Sequence, residues 1–231
     1  MTGELPPGWE KISIRELVDL VRGVTFRKSE SSQMDAEGLI PIVRAGNVSA
    51  GRLCLDEDLV FVLKDRVAEE QFLRRGDIVV ATSSGSTSVV GKSALVREDW
   101  RGAHGVFMAV LRPQEQVDPA YLAYCVQEDS LRNRWREAAA GTNINNLKRD
   151  DLLSTEIPIC PISEQLRVVA AIDEHFSRLD AVEGVLAAGW EKLEALRRSI
   201  LREAFSGRLV PQDPNDEPAS ALLERIADSQ R

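Results

Sequence analysis

A run of small residues from Gly85 to Ser93 ends in Gly-Lys-Ser, which is how the phosphate-binding loops of many nucleotide-binding proteins end. Those loops have four residues between the first glycine and the Gly-Lys pair. A helix must also follow, because the amides at its N-terminus hold the phosphate. Here five residues separate Gly85 from Gly91, and the following Ala94-Leu95-Val96 has the composition of a strand. The sequence therefore does not predict a nucleotide site at this loop.

Asp118-Pro119-Ala120-Tyr121 is similar to the Asp-Pro-Pro-Tyr motif of amino-methyltransferases. The second proline is missing, and no glycine-rich cofactor loop precedes the segment. An aspartate N-cap followed by proline at the first helical position is a complete helix start by itself. These residues therefore predict the start of a helix, and methyl transfer by this chain is not predicted.

The histidines and carboxylates do not form a catalytic or metal-binding pattern. His104 and His175 are the two histidines, and no Cys/His cluster has metal-ligand spacing. No nucleophile elbow is present. The acidic pairs Glu69-Glu70 and Asp150-Asp151 are typical of a solvated surface rather than of an acid/base pair. We predict a protein that is not an enzyme and that holds neither a cofactor nor a metal ion.

The cysteines and the N-terminal residues bear on the compartment. Cys54, Cys125 and Cys160 are an odd number of thiols without a Cys-x-x-Cys spacing. The first residues lack the basic-then-apolar layout of a signal peptide, and no run of about 18 apolar residues could span a membrane. We therefore expect a cytoplasmic protein with reduced cysteines and no membrane association.

The formal net charge of the chain is −8 at pH 7. This charge argues against strong non-specific binding of polyanions, because such binding depends on many contacts from Lys and Arg to phosphates. A local basic patch on an acidic protein still allows specific binding, and a partner can supply part of the phosphate contacts.

Short strands and helices follow one another irregularly over residues 1–158. Ser13 and Glu16 form a capping box, which predicts a short helix ending near Gly23. The Asp118 cap predicts a helix that continues to about Ala139. The spacing is too irregular for a doubly wound nucleotide-binding fold, so we predict an α+β fold with one mixed α/β domain. Strand-like apolar runs occur at residues 39–43, 58–62, 78–81, 94–96, 106–111 and 156–159.

A long helix is predicted from Glu164 to Phe205, with Ser163 as its N-cap. These 42 residues contain no proline and would form about 63 Å of helix. Apolar residues recur mostly at steps of three, four or seven, as in a coiled coil. These apolar residues form a stripe along one side of the helix, called the seam below. A domain of this size cannot cover the seam along its whole length, so we predict pairing with another helix. A tether or a simple amphipathic cover is the alternative. The predicted seam consists of Phe176, Leu179, Leu186, Trp190, Leu193 and Ile200.

The pattern divides the chain into three parts. Residues 1–158 form the predicted globular domain, and residues 159–209 contain the long helix. Residues 210–231 are predicted to form a polar turn followed by a short helix with Leu222, Leu223 and Ile226 on its apolar side.

Two stretches of the sequence resemble the specificity subunits of type I restriction–modification systems. The first, residues 145–165, has an Asn-Leu pair, a short acidic helix, an Ile-Pro strand and a Pro-x-x-Glu-Gln helix start. The second, residues 197–226, resembles the helical regions of these subunits, and Leu5-Pro6-Pro7-Gly8-Trp9 also fits. The resemblance implies a DNA target recognition domain at 1–158 and a non-catalytic role. It implies as partners double-stranded DNA, methyltransferase (modification) subunits and an endonuclease (restriction) subunit.

Members of this family usually contain two recognition domains and two long helices, whereas this sequence has one of each. The resemblance therefore implies a half-length form that dimerises through residues 159–209. A two-fold dimer presents the same domain twice, so its DNA target would be an interrupted palindrome.

The resemblance also points to the polar loops between strands as the DNA-contacting residues. Arginine suits guanine and asparagine suits adenine in the major groove, while Lys, Ser and Thr more often hold phosphates. For each single residue, an ordinary turn or surface role remains open. A coiled-coil adaptor that binds protein rather than DNA is the alternative function. The predicted DNA-binding residues are Arg44, Asn47, Ser83, Ser84, Ser86, Thr87, Ser88, Lys92, Thr142, Asn143, Asn145 and Lys148.

Overall fold

The computed structural model of the chain describes residues 5–141 and 144–229. It divides into an N-terminal unit, Met1–Ile172, and a C-terminal unit, Asp173–Arg231. Within the described ranges, no helix has both the length and the apolar character needed to cross a membrane.

The helices are α1 (Pro119–Gln127), α2 (Asp129–Ala139), α3 (Arg149–Leu153), α4 (Ile162–Phe205) and α5 (Ala219–Ser229). The strands are β1 (Glu10–Ser13), β2 (Val18–Arg22), β3 (Ser31–Ser32), β4 (Leu39–Val43), β5 (Val48–Ser49), β6 (Arg52–Leu53), β7 (Val60–Leu63), β8 (Ile78–Ala81), β9 (Ser83–Ser84), β10 (Ser93–Leu95), β11 (Ala103–His104), β12 (Met108–Pro113), β13 (Asn145–Asn146) and β14 (Glu156–Ile159). The three strand predictions at 39–43, 78–81 and 156–159 are confirmed with the same bounds. The other three strands are confirmed with shifts of one or two residues at their ends.

Two four-stranded sheets form the framework of the N-terminal unit. The first has the order β10-β8-β12-β2 with antiparallel neighbours, and the second has the order β11-β4-β7-β3 with β11 parallel to β4. Every residue of β8 is buried. Ile78 and Val80 face a core that the helices share, while Val79 and Ala81 face a second core. Such burial on both faces explains why β8 is a continuous apolar run. The separate sheets and helices confirm the predicted α+β class.

The predicted helix over residues 118–139 is divided into α1 and α2 at Glu128. The Asp118 carboxylate accepts a hydrogen bond from the backbone N–H of Tyr121 at 2.9 Å, so the predicted cap is confirmed. Glu128, however, has an extended backbone with ψ 133°, and its carboxylate caps α2 by accepting from the N–H groups of Ser130 and Leu131. Because a second cap competes with continuation of α1, the single long helix was a wrong prediction.

The helix predicted from Ser13 to about Gly23 is also wrong. Ser13 and Glu16 do form the capping box, and the Ser13 hydroxyl donates to the Glu16 carboxylate at 3.0 Å. The box closes only a three-residue 3₁₀ turn, and β2 follows. Leu20 of β2 pairs with Leu111 of β12. The ladder with β12 therefore outweighs the local helix signal.

The junction before α4 is fixed by the Glu164-Gln165 pair. Gln165 is 1% exposed; its Nε2 donates to the Cys160 carbonyl at 2.8 Å, and its Oε1 accepts from the Asp118 N–H at 2.8 Å. The Trp9 indole donates to the Glu164 carboxylate at 3.1 Å. The helix begins at Ile162 rather than after Ser163, so the predicted N-cap residue lies inside the first turn.

Helix α4 has 44 residues, which correspond to about 66 Å at 1.5 Å per residue. The predicted seam is exposed in the described chain: Leu186, Trp190 and Leu193 are 67%, 68% and 61% exposed. Phe176, Leu179 and Ile200 are exposed as well. The short C-terminal helix is confirmed as α5, whose Leu222, Leu223 and Ile226 are also exposed.

Candidate nucleic-acid interface

A groove of about 640 Å³ opens on the surface of the N-terminal unit. The segments that adjoin β3, β4, β7, β9, β11 and β13 meet around it. The described lining comprises Phe26, Lys28, Ser31, Gln33, Arg44, Ala45, Gly46, Asp58, Val60, Ser83, Ser84, Gly85, Gly105, Val106, Phe107, Met108 and Ile144. Three of the predicted DNA-binding residues, Arg44, Ser83 and Ser84, are therefore brought together in one groove.

Arg44 follows β4 directly, and its guanidinium is held by Asp58. Nη2 of Arg44 donates to Asp58 Oδ1 at 2.8 Å and to the Asp58 carbonyl at 3.0 Å. The Arg44 side chain remains 42% exposed. Asp58 itself has φ +50°, an uncommon backbone for a residue other than glycine. The pair leaves an oriented, accessible cation in the wall of the groove.

Asn47 lies in the same loop as Arg44 but faces inward. It is 2% exposed. Its Oδ1 accepts from the Arg44 N–H at 2.8 Å, and its Nδ2 donates to the Glu57 carbonyl at 2.7 Å. Both ends of the amide are thus used by backbone groups, so Asn47 shapes the loop that carries Arg44.

Asn145 has a similar positioning role on the other side of the groove. Strand β13 pairs with β9, so that Asn145 lies opposite Ser84. The Asn145 amide is buried and donates to the carbonyls of Ser84 and Gly85 at 3.3 and 3.4 Å, while its Oδ1 accepts from the Gly141 N–H at 3.4 Å. Asn145 therefore fixes the loop of residues 83–88, called the serine loop below. Thr142 and Asn143 lie outside the described residues.

The loop after β9 carries the exposed hydroxyls. Ser86, Thr87 and Ser88 are all exposed, and the hydroxyls of Ser86 and Ser88 are 2.8 Å apart in a hydrogen bond. The Ser88 carbonyl accepts from Nη2 of Arg132 at 3.1 Å and from Nη2 of Arg136 at 3.4 Å. Two arginines of α2 thus hold this loop.

The two predicted lysines do not line the groove. Lys92 lies in a separate cavity of about 210 Å³. Lys148 is exposed immediately before α3. The structure therefore gathers Arg44, Ser83 and Ser84 in the groove and leaves the two lysines outside it.

The sequence prediction missed an apolar part of the groove. Phe107, Val106 and Ile144 are 60%, 46% and 59% exposed. Residues 106–111 were predicted to form one strand, but β12 begins at Met108, and the Met108 N–H closes a turn on the Gly105 carbonyl at 2.9 Å. The Phe107 carbonyl accepts from the N–H groups of Thr82 and Ser83, which ties this turn to the serine loop. The glycine before Val106 was the one sequence feature that favoured a turn here.

Behind the groove, His104 is fully buried in β11. Its Nε2 is 3.3 Å from the Val21 carbonyl, and its Nδ1 has no hydrogen-bond partner in the described chain. Burial lowers the pKa of His104 from its ordinary 6.5 to about 4, so it is neutral near pH 7. Next to it, a Cβ on Gly23 would lie 2.0 Å from the Gly105 carbonyl oxygen, so this close backbone approach requires glycine. These residues support the 105–108 turn.

The groove has no metal-binding character. In residues 5–141 and 144–229, no group of three or more His, Cys, Asp and Glu side chains could hold a metal ion. The groove instead offers one oriented guanidinium, short hydroxyls and an exposed aromatic ring. This is a set that can contact both polar and apolar groups of a large ligand.

Comparisons of the sequence with a protein-family model and with individual proteins agree with each other. The family model described as "Type I restriction modification DNA specificity domain" matches residues 6–187. The EcoKI specificity subunit of Escherichia coli K12 is 33% identical over 224 residues, which are 97% of this chain and 48% of that protein. The StySPI specificity subunit of Salmonella potsdam is 36% identical over 208 residues, 90% of this chain and 45% of that protein.

The fold has solved counterparts. A chain in a structure of a type I restriction–modification system aligns with a TM-score of 0.70 at 23% identity, over 90% of this chain and 48% of that chain. The chain thus spans about half the length of the relatives that it matches.

Proposed function

Because the chain belongs to the family of type I restriction–modification DNA specificity domains, we propose that it reads the base sequence of double-stranded DNA through the groove of its N-terminal unit. The observation that carries this proposal is the groove itself, with Arg44 oriented by Asp58 beside the serine loop and the exposed Phe107. The chain performs no chemistry in this proposal. Methylation and cleavage belong to separate modification and restriction subunits that it directs in the cytoplasm.

The lining of the groove has the chemistry that major-groove reading needs. A guanidinium donates to the O6 and N7 of guanine, and hydroxyls donate to or accept from either base edge. Apolar groups such as Phe107 and Ile144 contact the thymine methyl group. Direct reading by these residues is our proposal for what distinguishes one DNA sequence from another.

The charge of the chain indicates that it does not bind DNA tightly by itself. At a net charge of −8, phosphate contacts are limited to local cations. Several of these lie around the groove and the loop after β9: Lys28, Arg132 and Arg136. We propose that a second copy and the modification subunits supply the remaining phosphate contacts.

The exposed seam of α4 supports pairing between two copies. Leu186, Trp190 and Leu193 expose more than half of their surface, and a row of such residues on one helix is typical of a coiled-coil interface. We propose a homodimer in which the two α4 helices pack antiparallel about a two-fold axis. Each copy then reads one half-site, and the target is an interrupted palindrome.

The alternative function, a coiled-coil adaptor that binds protein, would have the same exposed seam and the same acidic charge. The two functions differ in whether the chain binds DNA, so DNA binding is the property to test. The chain is reconstituted with its modification subunits and used to select duplexes from a library of random sequence. The proposal predicts enrichment of one bipartite motif with two symmetric halves. Enrichment of no motif, in a complex that assembles normally, would favour the adaptor.

A further inference from the structure

A second cavity of about 210 Å³ has a basic and polar lining that the groove does not explain. Its side-chain lining is Val48, Ala50, Lys92, Ser93, Gln127 and Arg132, with Gly51 and Gly91 completing the wall. Two of these residues are cations and none is acidic. The cavity therefore has the electrostatics of a site for an anion.

Ser93 is the buried polar group of this cavity. It is 3% exposed, and its Oγ has no hydrogen-bond partner in the described part of the chain. Buried hydroxyls almost always have a partner, and a hydroxyl in a cavity wall without a protein partner is available to a group that enters the cavity. Lys92 precedes Ser93 in the sequence and forms no ion pair among the described residues.

Arg132 supplies the second cation from α2. Its Nη2 donates to the Ser88 carbonyl, while its Nε is buried without a partner in the described chain. Arg136 lies one turn further along α2 and also donates to Ser88. Burial, followed by repulsion from Arg136, lowers the pKa of Arg132, and the nearby Asp129 partly opposes this effect. Among residues 5–141 and 144–229, no carboxylate is bonded to either arginine, so the two form a cationic pair.

The second cavity lies beside the groove along the chain. Residues 44–46 line the groove, and residues 48, 50 and 51 line the cavity. Two residues span at most about 7 Å, so the walls of the groove and of the cavity lie close together. Ser83 and Ser84 line the groove, and the Ser88 carbonyl of the same loop accepts from Arg132, which lines the cavity. The major groove of DNA is about 12 Å wide and is bordered by phosphates. In the proposed arrangement, the phosphates that border the base edges held in the groove are the anionic groups nearest to the cavity.

We propose that Lys92, Ser93 and Arg132 bind one phosphate group of the DNA backbone and so set the register of the duplex on the recognition domain. This inference rests on the proposed function. Lys92 and Arg132 neutralise the phosphate charge, and the Ser93 hydroxyl donates to one of its oxygens. Contacts of this kind fix position and carry no sequence information.

The test is the salt dependence of DNA affinity, measured by fluorescence anisotropy on the complex with its modification subunits and the selected duplex. Because the two cations neutralise a single phosphate, Lys92→Gln and Arg132→Gln should each reduce the slope of log affinity against log salt by part of about 0.9, and the double variant should reduce it by about 0.9. At about 0.15 M salt this corresponds to about fivefold weaker binding. The loss should be equal for the selected duplex and for a scrambled one. Lys92→Arg should retain the slope.

Arg134→Gln is the matched control, because it removes the same charge from the exposed side of the same helix. An unchanged slope in Lys92→Gln and Arg132→Gln, with normal thermal stability, would overturn the proposal. If these variants lose affinity for inorganic phosphate but keep the DNA slope, the cavity binds a free anion and the DNA contact is wrong. Failure of the proposed function would look different from failure of the phosphate site. In that case the unsubstituted complex would bind the selected and the scrambled duplex with equal affinity.

Discussion

Arg44 and Asp58 form an ion pair in the wall of the groove, with Nη2 of the guanidinium 2.8 Å from Oδ1 of the carboxylate. The loop backbone under Arg44 is in turn held by the buried amide of Asn47. A guanidinium that is oriented before binding loses less conformational freedom on contact with a base. We therefore propose Arg44 as the side chain of the groove that selects guanine.

The first prediction concerns Arg44→Ala. Loss of a guanidinium contact to guanine should weaken binding to the selected duplex by about 1–3 kcal/mol and relax the preference at one base pair of each half-site. Competition binding with single-base variants of the duplex measures both effects. Arg15→Ala is the control, because Arg15 also forms an exposed ion pair, with Asp150 at 3.2 Å. An equal loss of affinity on every duplex would show that Arg44 contacts phosphate instead.

Asn143→Ala is also expected to weaken specific binding, although Asn143 lies outside the described residues.

The second prediction concerns Phe107→Ala. Because Phe107 is 60% exposed, its removal should change the free energy of unfolding by no more than about 0.5 kcal/mol. Its loss should nevertheless weaken binding to the selected duplex several-fold, mainly where thymine is present. Urea unfolding and anisotropy titrations test the two halves of this prediction. Leu63→Ala removes a similarly exposed apolar side chain outside the groove and should leave DNA affinity unchanged.

Much of the fold could be predicted because its strands are buried on one or both faces and its helices begin at recognisable caps. β8 is a run of four buried apolar residues, and the Asp118 cap identifies the start of α1. The wrong predictions lie where tertiary contacts, rather than the local sequence, determine the secondary structure. A capping box at Ser13 is satisfied by a single 3₁₀ turn once β2 pairs with β12, and the second cap at Glu128 is visible only when its carboxylate is seen to fold back.

The site was harder to predict than the fold. Asn47 and Asn145 were chosen because asparagine suits adenine, but both amides face inward and hold loops. Residue type does not determine which way an amide points, because this depends on the neighbouring backbone. Phe107 was missed because its residue type suggests burial, whereas its position in a turn exposes it. An apolar residue beside a strand is usually buried, and only the turn closed by Gly105 and Met108 brings it to the surface.

The third prediction is a loss of stability between about pH 6.5 and pH 4 caused by His104. Burial lowers the pKa of His104 to about 4 in the folded chain, whereas in the unfolded chain it is about 6.5. The unfolded state binds more protons in this range, so the free energy of unfolding falls as the pH falls. The full difference amounts to about 3 kcal/mol. Urea unfolding at a series of pH values measures it. His104→Gln should be less stable at pH 7 but should lack this dependence; an unchanged pH profile would refute the assignment.

The fourth prediction concerns the seam of α4. Leu186→Glu with Leu193→Glu should abolish dimers, because the charges would be buried without partners in the paired helices. Sedimentation equilibrium at micromolar concentration distinguishes the dimer from the 25.6 kDa monomer. Ala188→Glu with Ala195→Glu is the matched control, since it adds the same charges at the same spacing on the opposite face. Dimers that persist in the seam variant, or an unsubstituted chain that is monomeric, would contradict the assigned interface.

The central claim, that the N-terminal unit reads the DNA sequence, is tested most directly by sequencing methylated bases in cells that express this chain with its modification subunits. Residues 40–150, which include the groove walls at Arg44, Ser83 and Phe107, are exchanged for the matching segment of a relative with a different target. The account predicts a bipartite methylation motif that changes to the relative's half-site sequence while the spacing set by α4 is kept. A methylation motif that stays the same after the exchange, with methylation still efficient, would contradict it.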